Sequence, residues 1–121
     1  MKLPDLLRQG ESERLEFKTS FHDETLESIG ALANAQGGTV LVGVEDDGAV
    51  YVVKVGKKTL EDWANRIQEV MDPRLQPSIT RVEQDEKTVI AIRVEPATGV
   101  PVSVRGRYFR RVGRTNQRMS H

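Results

Sequence analysis

The C-terminal part of this 121-residue chain concentrates arginine, the residue type whose planar guanidinium best matches a phosphate group. Six arginines and no acidic residue lie between Val100 and His121. The whole chain has 18 basic and 18 acidic residues, so the first 99 residues carry −6 and the last segment carries +6. This asymmetry predicts nucleic acid or another phosphate-bearing partner, and the alternative is that these arginines pair with acids on neighbouring strands.

Within this segment, residues 107–112 are expected to form a strand whose side chains alternate between two faces. One face would carry Arg107, Phe109 and Arg111. The other would carry Tyr108, Arg110 and Val112, and at least one of the two aromatic residues must belong to the core. An arginine–aromatic–arginine face can bind phosphate and stack on a base. The predicted nucleic-acid-binding residues are Arg105, Arg107, Arg110, Arg111 and Arg114. Contacts to about four phosphates would give a log–log salt slope of about −3 to −4.

Several other chemistries are excluded or disfavoured by composition. The chain has no cysteine and only two histidines, which excludes disulfides, thiolate zinc sites and cysteine nucleophiles. Gly37 and Gly38 follow a predicted helix rather than precede one, and no Gly-Lys-Ser/Thr follows them. They are therefore interpreted as a helix stop, and ATP binding is not expected. No apolar run is long enough for a membrane span or a signal peptide, so a cytoplasmic location is expected.

The elements that must position these residues follow from hydrophobic periodicity. We expect a short N-terminal helix within residues 1–10, and a helix that begins near Glu24 with Asp23 as its N-cap. A third helix would begin at Thr59, with Thr59 and Asp62 as a capping box, and would end at Pro73.

Strands are predicted at 14–18, 39–44, 49–55, 78–82, 88–94, 102–104 and 107–112. The apolar run of 39–44 indicates a strand covered on both faces, and Asp47-Gly48 indicates a hairpin turn after it. Residues 113–121 are expected to form a flexible tail. Together these elements predict one α+β domain over 1–121, with two main helices, a short N-terminal helix and a mixed, mostly antiparallel sheet. The chain could also be a fragment of a longer protein.

Three stretches of the sequence together resemble the Schlafen AlbA-type domain family. They are Glu11-Ser12-x-x-Leu15-Glu16-Phe17-Lys18, then Ala31-x-Ala33-Asn34-x-x-Gly37-Gly38 running on to Gly43-Val44-Glu45-Asp46-Asp47-Gly48, and Pro101-Val102-x-Val104-x-Gly106-x-Tyr108-x-Arg110-x-x-Gly113-x-Thr115-Asn116. The resemblance runs from about Glu11 to Asn116 and implies an α+β nucleic-acid-binding module. It suggests a DNA-contacting domain of a transcriptional regulator, or alternatively a metal-dependent endoribonuclease that acts on transfer RNA or other RNA.

For the nuclease alternative, the resemblance also implies a set of site residues. Glu11 and Glu16 match two glutamates of the family's nuclease motif, and the third acid would be Glu45 or Asp46. Three convergent carboxylates suit Mg²⁺ or Mn²⁺, and Lys18, on the same strand face as Glu16, could bind the scissile phosphate. The alternative is that Glu16 and Lys18 form only cross-strand pairs and that the acidic residues after Val44 are surface residues of a hairpin without a role in metal binding. Because animal relatives pair two copies of the domain, a homodimer is a further expectation.

Overall fold

Helices and strands alternate in the first part of the chain, and only strands follow the third helix, in the computed structural model, which describes residues 2–51 and 54–119. The helices of this part are α1 (Leu3–Gln9), α2 (Asp23–Ala33) and α3 (Thr59–Val70). The strands are β1 (Leu15–Lys18), β2 (Gly38–Val42), β3 (Met71–Asp72), β4 (Ser78–Gln84), β5 (Lys87–Val94), β6 (Ser103–Val104), β7 (Arg107–Val112) and β8 (Thr115–Arg118). None of the helices in the described ranges is both long and apolar enough to cross a membrane.

The first sheet has the strand order β1-β2-β5-β4. β1 and β2 run parallel, while β2–β5 and β5–β4 are antiparallel pairs. Val40, Leu41 and Val42 at its centre are at most 1% exposed, which confirms the prediction of a strand covered on both faces. A continuous apolar run suits this position because neither face of such a strand meets water.

The second sheet has the order β3-β6-β7-β8 and is antiparallel throughout. The strands predicted from the sequence therefore divide between two sheets instead of forming one. The α+β class is confirmed, since the chain packs its helices against a mixed sheet and an antiparallel sheet.

Helix α2 lies between the two sheets, because it contacts β2 and β5 of the first sheet and β6, β7 and β8 of the second. Its residues from Ser28 to Ala33 are all buried, as expected for a helix covered on every side. The main core therefore joins α2 and α3 to one face of the first sheet and to the inner residues of the second. A smaller core lies on the opposite face of the first sheet, under α1.

The helix starts differ from those predicted. His22, not Asp23, is the N-cap of α2, and its Nδ1 atom accepts a hydrogen bond from the Glu24 amide at 3.2 Å. Thr25 Oγ1 accepts from the His22 amide in return, so these two residues form the capping box. At α3 the predicted Thr59–Asp62 box is not formed, because Thr59 Oγ1 accepts from the Gly56 amide and Lys58 is the N-cap.

The turn after β2 is present at the predicted place. The Gly48 amide donates to the Glu45 carbonyl at 2.8 Å, and Asp47 Oδ1 accepts from the Ala49 amide. The predicted return strand at 49–55 is reduced to an isolated bridge between Val44 and Val50 in the described residues. Val52 and Val53, which the same prediction included, lie outside the residues that the structure describes.

The end of the chain is more regular than predicted. Residues 113–121 were expected to be flexible, but Thr115–Arg118 pair with β7 as strand β8 after a turn at Gly113 and Arg114. The tail prediction is therefore wrong for this part, because β7 offers an unpaired edge and Gly113 accepts the positive φ of +58° that the turn needs. Met1, Ser120 and His121 lie outside the described residues.

Candidate functional site

Strand β7 is held between two tight turns and one helix end. Arg105 and Gly106 form the turn before it, both with positive φ, and Gly113 and Arg114 form the turn after it. Asn34, the C-cap of α2, donates through Nδ2 to the Val102 and Phe109 carbonyls and accepts from the Val102 amide, at 2.7–2.8 Å. These three hydrogen bonds fix the second sheet to the end of α2 and so determine which face of β7 points inward.

The inward face is the one that carries Phe109 and Arg111, which are 8% and 3% exposed. The predicted alternation along β7 is therefore correct, but the expected arginine–aromatic–arginine surface faces the core over most of its length. Arg107, at the start of the strand, stays exposed. Phe109 packs in the main core and cannot stack on a base.

Arg111 is bound by four groups of the protein itself. Its Nη1 atom forms a buried ion pair with Glu16 Oε2 and donates to Asn116 Oδ1 at 2.8 Å. Its Nε and Nη2 atoms donate to the Ser12 carbonyl at 3.1 and 2.9 Å, and Nη2 also donates to the Leu15 carbonyl. The prediction that Arg111 binds nucleic acid is therefore wrong, because its side chain is fully buried and its donors are already used.

Glu11 lies beside this pair. Its Oε2 atom accepts a hydrogen bond from the Phe17 amide at 3.1 Å, and its carboxyl group hydrogen-bonds with that of Glu16. Burial and the Glu16 carboxylate raise the pKa of Glu11 to about 7, against the opposing effects of the Phe17 amide and the Arg111 guanidinium. The structure brings Glu11 and Glu16 together and adds the guanidinium of Arg111, from strand β7, to the pair.

The residues predicted to bind Mg²⁺ or Mn²⁺ do not fit a metal site. Glu45 and Asp46 are exposed after β2. In the described ranges no three acidic or histidine residues come together in a way that could hold a metal ion. Glu16 is instead neutralised by Arg111, and Lys18 pairs with Glu24 Oε2 at 3.6 Å. A hard divalent cation needs several oxygen ligands, and this cluster offers two carboxyl groups, one of which is already paired with a guanidinium.

The remaining predicted arginines differ in whether acidic side chains lie close to their guanidinium groups. Arg105 pairs with Asp23 at 2.9 Å, which lowers the pKa of the Asp23 carboxyl below its usual value and raises the pKa of Arg105. Arg107 is exposed, but it lines a cavity of about 180 Å³ together with Asp23 and Glu27. Both arginines therefore sit in an acidic neighbourhood that weakens their attraction for phosphate.

Arg110 and Arg114 are exposed and, among residues 2–51 and 54–119, take part in no ion pair. Arg118 on β8 has the same properties and was not among the predicted binding residues. In the β7–β8 register, Arg110 faces Gln117 and Arg118 faces Phe109. Because side chains alternate along a strand, Arg118 shares the face of Phe109, and Arg110 lies on the opposite face of the hairpin. Arg114 lies in the turn that joins the two strands. We call these three residues the hairpin arginines.

Sequence reasoning missed Arg118 because it treated the polar segment after Gly113 as a frayed tail. The signal that could have found it is the short spacing of a β-hairpin, with a turn glycine between two segments of alternating residues. Asn116 belongs to the third of the three stretches singled out in the sequence, and no contact was predicted for it. It connects β8 to the core, since its Oδ1 atom accepts from Arg111 and its Nδ2 atom donates to Ser28 Oγ at 2.7 Å.

Comparison with known proteins finds a family model that covers nearly the whole chain. The family model described as Schlafen, AlbA_2 matches residues 11–120. A search among curated proteins finds no match.

Two solved structures are similar over nearly the whole chain. The DIP2311 protein of Corynebacterium diphtheriae superposes with a TM-score of 0.76 and 18% identity over 97% of this chain, which spans only 25% of that protein. The N-terminal domain of an ATP-dependent DNA helicase RecG-related protein of Nitrosomonas europaea superposes with a TM-score of 0.67 and 26% identity, covering 100% of this chain and 95% of that one. The first likeness supports the fold alone.

Proposed function

Since this chain belongs to the Schlafen AlbA_2 family, we propose that it is a nucleic-acid-binding domain that contacts phosphate groups through its β7–β8 hairpin. The observation that carries the proposal is the set of hairpin arginines, Arg110, Arg114 and Arg118. They are exposed, they lie within one hairpin, and no carboxylate of the described chain pairs with them. Such arginines supply the charge-assisted contacts that dominate nucleic-acid affinity.

The contacts proposed here are to the backbone rather than to the bases. Phe109, which was expected to stack on a base, is buried. Phosphate contacts position a nucleic acid but read no sequence. We therefore expect binding that falls steeply with salt and that varies little with base sequence.

DNA is the partner that we test first, and a role within a transcriptional regulator is the finer form of the proposal. The support for DNA is the structural neighbour, whose name places it in a DNA helicase-related protein. DNA and RNA both present phosphate groups to arginine, so the hairpin can contact either of them. RNA is therefore included as the second arm of the experiment.

The experiment measures fluorescence anisotropy of a labelled 20-base-pair duplex DNA and of a labelled single-stranded RNA at about 50 mM salt. The variant Arg110→Gln/Arg114→Gln removes two hairpin arginines. The control Arg74→Gln/Arg81→Gln removes two exposed arginines that lie outside the hairpin. We expect the hairpin variant to bind at least about tenfold more weakly to at least one of the two polynucleotides, and the control to change affinity less than about threefold. Equal losses in both variants, or no binding by the unchanged protein to either polynucleotide, would overturn the proposal.

The endoribonuclease alternative has weaker support. Its positive observation is the contact of Glu11 with Glu16, with the pKa of Glu11 raised to about 7. Against it stands the donor set, which in the described residues lacks a third acidic partner. Incubation of transfer RNA with the protein and Mn²⁺, with and without chelator, tests it. Chelator-sensitive cleavage that is lost in Glu11→Gln would favour the nuclease over a domain that only binds.

A further inference from the structure

A groove lies on the face of the first sheet that points away from α2 and from the second sheet. The short helix α1 covers only part of this face, because its seven residues place Leu3 and Leu6 over Leu15 and Leu41 and leave the β5–β4 side open. The result is a cavity of about 560 Å³. Cavities of about 300–1,000 Å³ are the size that binds small organic ligands.

The strand registers place a polar row across one end of this groove. Thr39 of β2 lies opposite Arg93 of β5, and Arg93 lies opposite Ser78 of β4. On the other side of Thr39 lies Leu15, and the carbonyl of the preceding residue, Arg14, accepts a hydrogen bond from the Thr39 amide at 2.9 Å. Two arginines and two hydroxyl-bearing residues therefore line one end of the cavity.

The next row of the same face is apolar and shallow. Leu41 lies opposite Ala91, and Ala91 lies opposite Thr80. Small side chains at 80 and 91 form a hollow, and Leu3 and Leu6 of α1 form its wall. A flat apolar ring can fill this hollow while a group attached to it reaches the polar row.

The charges of the groove favour an anion. Neither Arg14 nor Arg93 takes part in an ion pair anywhere in residues 2–51 and 54–119, and both are exposed. Glu95 also lines the cavity, so two guanidinium groups and one carboxylate give this end a net charge of +1. Arginine recognises phosphate through paired N–H donors, and the hydroxyl groups of Thr39 and Ser78 can donate to the remaining oxygens.

We infer that this groove binds a small organic phosphate, with its phosphate on the row of Arg14, Thr39, Arg93 and Ser78 and its aromatic ring over Leu41 and Ala91. The site is separate from the hairpin arginines, because α2 and the first sheet lie between them. It therefore does not depend on the function proposed above. A free nucleoside monophosphate and the phosphorylated end of an oligonucleotide share this chemistry.

The test is a titration of the whole chain, followed by amide NMR shifts, with phenyl phosphate as the minimal probe. Two control ligands are titrated beside it. Inorganic phosphate lacks the aromatic ring, and phenol lacks the phosphate anion. We expect phenyl phosphate to bind at least about tenfold more tightly than either, with shifts at residues that line the groove. Equal affinity for phenyl phosphate and inorganic phosphate, or shifts elsewhere only, would overturn the inference.

Two variants and one control test the polar row and the apolar hollow separately. Arg93→Gln removes one guanidinium from the polar row and should weaken phenyl phosphate binding about tenfold. Ala91→Leu fills the hollow and should reduce phenyl phosphate to the affinity of inorganic phosphate. Arg81→Gln is the matched control, since Arg81 is an exposed arginine of the adjacent strand that lies opposite Ile90, on the other face of the sheet. An Arg81→Gln loss as large as that of Arg93→Gln would contradict a defined site.

The source of the phosphate is distinguished by two further ligands. Adenosine monophosphate represents a free nucleotide, and a 5′-phosphorylated dinucleotide represents a nucleic-acid end. Tighter binding of the first assigns the groove to small metabolites, and tighter binding of the second assigns it to polynucleotide ends. Failure of both to compete with phenyl phosphate would overturn the inference, while DNA binding by the hairpin would stand.

Discussion

Among the single residues, Arg111 stands out as a fully buried arginine that forms an ion pair with the buried Glu16. Alternation along β7 correctly places it on the same face as Phe109, but the charge of a guanidinium suggests the outward side. Burial is tolerated here because Glu16, Asn116 and two backbone carbonyls satisfy its donors. Those partners lie about 100 residues earlier in the chain or on the next strand. The sequence around Arg111 therefore does not predict them.

We expect Arg111→Met to lower the free energy of unfolding by about 3–5 kcal/mol. The methionine roughly fills the space, but Glu16 is left buried without its cation. Urea denaturation at pH 7 measures the change. The matched control is Arg114→Met, an exposed arginine three residues later, which should change stability by less than about 0.5 kcal/mol. Similar values for the two variants would show that the buried ion pair is not important for folding.

Glu11 predicts a pH dependence of stability. Its pKa is raised from 4.5 to about 7 in the folded state, so between these values the folded protein holds a proton that the unfolded chain has lost. The contribution of Glu11 to stability is therefore complete below about pH 4.5 and is lost as the pH rises through about 7. Urea denaturation at pH 5 and pH 8 should show this fall for the unchanged protein and a smaller fall for Glu11→Gln. An identical pH dependence in both would contradict the assignment.

At the scale of the elements, the strongly periodic segments were predictable and their ends were not. Strand β2, strand β7 and the three helices occur where hydrophobic spacing placed them. The caps of α2 and α3 were wrong, because His22, one residue before the expected cap, accepts from the Glu24 amide, and Thr59 Oγ1 accepts from the Gly56 amide outside its helix. Strand β8 was missed because its polar residues pair with β7 through the backbone, which composition does not report.

The glycines after α2 lead to a prediction about the connection to β2. Gly37 has φ of +75°, and a Cβ atom there would lie 2.6 Å from the Val94 carbonyl oxygen. Gly99 has φ of +86°, but no atom of the described chain beyond its immediate neighbours lies within 4 Å of its Cβ position. Both alanine variants carry the same backbone strain, so the difference between them isolates the steric clash.

We therefore expect Gly37→Ala to reduce the free energy of unfolding by about 1–3 kcal/mol more than Gly99→Ala. Chemical denaturation of both variants measures the difference. Equal destabilisation would mean that the close approach of Gly37 to β5 carries no packing cost.

At the scale of the whole molecule, the α+β class was predictable from the order of the elements, but the division into two sheets was not. The pairing of β3 with β6, 31 residues apart, and the position of α2 between the sheets depend on contacts that are distant in sequence. The same packing decides the candidate site, since it buries Arg111, pairs Arg105 with Asp23 and leaves the hairpin arginines in solvent. A homodimer stays a prediction, and sedimentation equilibrium at several concentrations tests it.

The measurement that tests the central claim most directly is the salt dependence of DNA binding. Three hairpin arginines predict a log–log slope of about −2 to −3, shallower than the value that four contacts would give. Arg114→Gln should reduce the magnitude of the slope by about 0.7–0.9, because one fewer counterion is released. A slope near zero, or a slope unchanged in this variant, would contradict nucleic-acid binding by the β7–β8 hairpin.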